Sequence, residues 1–155
     1  MRDRTHGGEP RNERTMPRER EKTRKNLVSD RAARDLGLDF EISLYERALD
    51  FDPHDTEVLD ALGLAYTARG LYDKGLEVDR RLTRIEPDNH TFVYNLACSL
   101  SLLGRIGESV SALEHAIELG FRDLSLLTRD PDLKAVRTDP RFLGLVEKAS
   151  KHAAS

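Results

Sequence analysis

Residues 59–75, LDALGLAYTARGLYDKG, and residues 93–109, VYNLACSLSLLGRIGES, place an apolar residue, a leucine, a small residue, a bulky apolar residue and a glycine at the same offsets. In the first stretch Leu59, Leu62, Leu64, Ala65 and Tyr66 form a stripe of helical spacing over Thr56 to Arg69. Gly70 then supplies the left-handed residue that closes a helix. A second helix is expected from Tyr72 to Ile85, with Leu76, Leu82 and Ile85 turned inward, ending before the turn signal Pro87-Asp88-Asn89. The pattern then starts again. Leu62 and Leu96, Gly70 and Gly104, Tyr72 and Ile106, and Ile85 and Leu119 all stand 34 residues apart. Self-similarity at a fixed period of this length marks stacked helical pairs, because one pair alone leaves its apolar face in water.

Composition agrees with a solvated helical chain. In 155 residues, 38% hydrophobic content suffices for one modest core, and 34% charged residues with few strand-forming clusters favour helix over sheet. No apolar run reaches bilayer-spanning length, and the start, MRDRTHGGEP, lacks the apolar segment of a signal peptide. Cys98 is the single cysteine, so no internal disulfide forms. A reducing, cytoplasmic setting follows as the expectation. Charge divides unevenly: residues 1–25 hold nine Lys or Arg and five Asp or Glu, a net of +4, which leaves the remaining 130 at −7. Residues 1–22 carry no apolar periodicity and are expected to form a disordered, charged arm. An Arg-rich arm is suited to nucleic acid or anionic lipid. Its interleaved acids argue against both, and the arm is taken as a solvating tail. A translation start at Met16 is the alternative reading of most of it.

The residues now on the page resemble the tetratricopeptide repeat family. Unit 56–89 matches that family's 34-residue pattern with Leu59, Leu62-Gly63, Tyr66, Gly70, Tyr72, Gly75 and Pro87. Unit 90–123 matches with Val93, Leu96-Ala97, Leu100, Gly104, Ile106, Ser109, Leu113 and Ala116. LYERALDFDP, with Tyr45, Ala48 and Pro53 in register, resembles the second helix of a degenerate first unit over 23–55, whose first helix would be residues 22–35. The resemblance implies an all-α, right-handed solenoid of about three helical pairs. Asp79 departs from it, standing where the family has a buried aromatic residue. A rotated helix, or pairing with Arg80 or Arg81, would account for it, since an unpaired buried carboxylate costs several kcal/mol.

The segment 124–155 is expected to cap the stack. Asp130-Pro131 and Asp139-Pro140 each set a capping carboxylate before a proline at a helix start. Leu133, Val136, Phe142, Leu143, Leu145 and Val146 are the residues available to cover the last repeat.

The family resemblance also implies a function, protein binding on the concave surface lined by each unit's first helix. The corresponding residues are Glu57, Asp60, Ala61, Leu64, Thr67 and Ala68 in one unit, and Thr91, Tyr94, Asn95, Cys98, Ser101 and Leu102 in the next. Tyr94 is the expected anchor, because a rigid amphipathic ring adds contact area at small entropic loss. Asn95 is suited to holding a partner's backbone. Asp60 and Leu64 stand where chaperone-carboxylate-binding members carry Lys and Asn, and a carboxylate would meet Glu57 and Asp60, so a basic or apolar partner segment is expected instead of a free carboxylate. The chain thus reads as an adaptor or scaffold, with a dedicated chaperone resembling the small three-repeat secretion chaperones as the alternative. Catalysis is not expected. None of His6, His54, His90, His115 and His152 stands at metal-ligand spacing, there is no phosphate loop or nucleophile elbow, and Cys98 has no adjacent base. No cofactor, metal or small-molecule substrate is implied.

Overall fold

The computed structural model describes residues 16–153, which fold as α1 (Met16–Leu49), α2 (Thr56–Arg69), α3 (Tyr72–Ile85), α4 (His90–Leu102), α5 (Ile106–Leu119), α6 (Leu124–Arg129), two single 3-10 turns (Pro131–Leu133 and Val136–Thr138) and α7 (Phe142–Ala153). No strand occurs among the described residues. The fold is an all-α solenoid of helical pairs with a C-terminal cap.

Local chemistry sets the repeat. Asp55 and Asn89, one period apart, are the N-caps of α2 and α4, and each side chain accepts hydrogen bonds from the second and third amides of its helix. Gly70 and Gly104, likewise one period apart, take φ of 82° and 72°, a left-handed backbone in which a Cβ would be strained. Two- and three-residue links then fold α3 back on α2 and α5 back on α4. Leu59, Leu62, Ala65 and Tyr66 of α2 pack with Val78 and Leu82 of α3, and with Ile42 and Leu49 of α1. A second core gathers Val93, Ala97, Val110, Leu113 and Ile117 with Leu127, Leu133, Val136, Phe142 and Leu145 of the C-terminal segment.

Two compact units divide at Leu36 and Gly37. In the first, residues 19–36 of α1 are helical and exposed apart from a half-buried Asp35, with Leu27 and Val28 each about two-thirds in water. Pairs four residues apart, Lys25–Glu21 at 3.0 Å and Arg31–Asp35 at 4.0 Å, run along it. In the second unit, Ile42 and Leu49 of α1 are buried with residues of α2 and α3.

The structure departs from the sequence expectations in the first repeat, the arm and the cap. The degenerate first repeat is not a helix–turn–helix, because α1 is one unbroken helix of 34 residues. Residues 22–35 have no inward apolar face to fold back, and Gly37 stays out of the left-handed region, so no turn interrupts α1. The expected arm is helical from Met16 onward, and residues 1–15 lie outside the described residues. In the cap, Leu133, Val136, Phe142 and Leu145 are buried and Val146 packs beside them, whereas Leu143 is 73% exposed. Asp130-Pro131 starts only a single 3-10 turn, too short to turn a full apolar face inward.

Candidate partner-binding groove

The residues expected to line the groove lie on α2 and α4, the first helices of the two full pairs, and the two helices expose them differently. On α2, Glu57, Leu64 and Ala68 are exposed while Asp60, Ala61 and Thr67 are half-buried. Leu64 is 59% exposed, an aliphatic side chain open to water between acidic neighbours. On α4 only Thr91 is exposed, with Asn95 and Leu102 half-buried. Tyr94, Cys98 and Ser101 are buried.

The C-terminal segment accounts for that burial. The Pro131–Leu133 turn packs against α4, and Leu133 is completely buried. The Tyr94 hydroxyl donates to Asp130 Oδ2 at 2.7 Å, and its ring stacks on Phe121 at 4.3 Å between centroids and 7° between planes. Tyr94, expected as an open anchor, is thus buried against Phe121 and bonded to Asp130 of the C-terminal segment. Burial, then the neighbouring Cys98 and Asp130, pushes its phenol far above the usual range. The Cys98 thiol, 4.0 Å from the same carboxylate oxygen, is also pushed well up, by burial first and the Asp130 charge second. Both effects favour the protonated, buried thiol. Ser101 is 2% exposed, and its buried hydroxyl has no hydrogen-bond partner among the described residues.

Asn95 reaches across the groove instead of into it, its Nδ2 donating to Asp60 Oδ1 at 3.0 Å and tying α4 to α2. Asp79, 5% exposed, is not paired with Arg80 or Arg81: its Oδ2 accepts from Ser99 Oγ at 2.5 Å, while Arg81 donates to the Pro53 carbonyl. Desolvation raises its pKa to about 6, the Ser99 hydrogen bond opposing and the Asp60 charge adding to the rise. Gly63 makes room for it, since a Cβ there would stand 3.3 Å from Asp79 Oδ1.

Between α2, α4 and the 130–132 turn these groups enclose a cavity of about 100 Å³, lined by Leu64, Thr67, Asp79, Asn95, Asp130 and Asp132 among others. Desolvation also raises the pKa of Asp60 and Asp132, and the Asp130 charge adds to the latter. None of these four carboxylates forms an ion pair with Lys or Arg among the described residues. No group of His, Cys, Asp and Glu among them is arranged to hold a metal ion. No helix among them is long and apolar enough to cross a membrane.

Asp130, Asp132 and Ser99 are absent from the sequence-derived groove. Asp130 reads from sequence only as a cap, and it does accept from the Asp132 amide through Oδ1. A carboxylate has two oxygens, and its second one holds Tyr94.

No family model matches the chain. Among curated proteins it is similar to a chloroplastic protein of Arabidopsis thaliana, 30% identical over 89 residues that make up 56% of this chain and 27% of that protein. It is similar to Superkiller complex protein 3 of Mus musculus, 30% identical over 74 residues, 48% of this chain and 5% of the other. BBSome complex member BBS4 of Bos taurus is 38% identical over 53 residues, 34% of this chain and 10% of that one. The chain thus spans between 5% and 27% of the length of these relatives. Among solved structures, MamA MSR-1 C2 shares the fold with a TM-score of 0.59 over 76% of this chain and 68% of that one, at 21% identity. The 34-residue period, the paired helices and the repeat-containing relatives are consistent with the tetratricopeptide repeat family.

Proposed function

We propose that the chain is a protein-interaction module that takes a short segment of a partner along the open face of α2, with an apolar side chain on Leu64 and a basic one directed toward Asp60 and Asp132. The observation that carries this reading is Leu64, 59% exposed at the edge of a cavity whose carboxylates no Lys or Arg among the described residues neutralises. Negative charge gathered in a cleft with low-dielectric walls draws a cation and disfavours an anionic chain end. Glu57 and Thr91, both exposed, extend the polar rim. The 130–133 turn occupies the α4 half of the wall, which favours a short docking segment over the long apolar stretch of a chaperone client.

Selection of a displayed random peptide library on the full chain, followed by titration of the synthesised winners, tests this. Winners should combine Lys or Arg with an apolar residue and weaken as salt rises. Binding should fall by about tenfold or more on Leu64→Asp, and further with Asp132→Asn. Winners that are acidic, or that bind the Leu64→Asp chain as tightly as the wild type, would sink the reading.

A further inference from the structure

Residues 37–49 of α1 bear apolar side chains on two sides, and Phe51, in the turn just beyond the helix, adds to one of them. Ile42 and Leu49 are buried in the core with α2 and α3. On another side Phe40 is 70%, Leu44 55% and Phe51 91% exposed, and with Ser43, Arg47 and Ala48 they line a shallow cleft of about 430 Å³. A helix apolar on more than one side is built for an interior position, and monomers rarely leave such a patch in water.

The spacing of this face names its occupant. Gly37, Phe40, Glu41, Leu44, Arg47, Ala48 and Phe51 are placed symmetrically about Leu44, at three, four and seven residues on either side. We propose that two copies of the chain pair through this face, antiparallel, about a two-fold axis at Leu44. In that register Leu44 meets Leu44 of the second copy and each Phe40 meets an Ala48. Large residues meet small ones in both directions, as an isologous contact requires.

Charge points the same way. Glu41 and Arg47 are both exposed, and neither has an ion-pair partner among the described residues. The two-fold sets each Glu41 opposite the Arg47 of the other copy, two reciprocal pairs at the rim of the apolar strip. Asp39 and Glu46, which would repel a second copy, are directed to α2 instead, Asp39 toward Arg69 at 2.7 Å and Glu46 toward the Tyr66 hydroxyl.

Sedimentation velocity of the full chain over a concentration series tests the proposal, with circular dichroism as the check on folding. The wild type should pass from monomer to dimer as concentration rises, and Leu44→Asp, an exposed position, should stay monomeric with an unchanged helical spectrum. Glu41→Arg and Arg47→Glu should each weaken the dimer by about tenfold or more, and the double substitution should restore it. A wild type that remains monomeric at every concentration overturns the proposal and leaves the face to another chain. A dimer that survives Leu44→Asp, or a double variant no tighter than either single one, overturns it as well.

Discussion

Asp79 is held by one hydroxyl where a charge is poorly tolerated, and its titration should be legible in the stability of the whole chain. Its pKa in the fold is about 6, against an ordinary 3.8, with desolvation the leading cause. Between those values the folded chain keeps a proton that the unfolded chain has lost, so stability falls as pH rises through that window. At about 1.4 kcal/mol per pKa unit, the ionised side chain costs the fold about 3 kcal/mol at neutral pH. Asp60 and Asp132, also raised, act in the same direction. Asp79→Asn keeps an acceptor for Ser99 without the charge. We expect it to unfold at higher denaturant than the wild type at pH 7, and the difference to shrink to nothing as pH falls toward 4; a constant difference across that range would show that Asp79 is not the titrating group. Sequence flags Asp79, because a carboxylate at an apolar repeat position has to be paired or exposed. It does not name Ser99, 20 residues away in sequence and on another helix. Tyr94 escapes sequence reasoning for the same reason. Repeat register puts it on the concave wall, and only the folded C-terminal turn decides whether that wall faces water.

At the scale of elements, the pairs α2–α3 and α4–α5 are legible because caps, left-handed glycines and apolar stripe repeat together, each reinforcing the others. α1 is not. Its C-terminal half carries the family's second-helix pattern, and counting backward for the matching first helix leads into residues with no apolar stripe. Exposed Leu27 and Val28, and ion pairs four residues apart, hold helix without burying anything. A chain with Leu27→Gln and Val28→Gln should therefore unfold within about 0.5 kcal/mol of the wild type, the usual range for substitutions at exposed positions. Equilibrium urea unfolding of the two chains measures this directly. A loss of several kcal/mol would mean that Leu27 and Val28 are buried after all.

Across the whole molecule, apolar burial is unequal from end to end. Among the described residues the C-terminal core joins fifteen buried residues from α4, α5 and the cap, whereas the core around α2 and α3 joins nine. The cap explains the asymmetry: Leu127, Leu133 and Val136 are completely buried, while at the other end of the stack Phe40, Leu44 and Phe51 remain exposed on the monomer. In a solenoid, stability is close to a sum of repeat and neighbour-interface contributions, so an end that buries less opens first. Native-state hydrogen exchange on the monomeric Leu44→Asp chain should show amides of α2 and α3 exchanging through a lower-energy opening than those of α4 and α5, with α7 protected alongside the latter. In the wild type the gap should narrow as concentration rises, because pairing through Leu44 stabilises only the end that carries the face. Uniform protection across α2 to α5 in the monomer would mean that the two cores unfold as one cooperative unit, with the shared α3–α4 interface outweighing the difference in burial. Were α4 and α5 to open first, the cap would be loosely held despite the Tyr94–Asp130 bond, and the groove wall it now covers would be available to a partner after all.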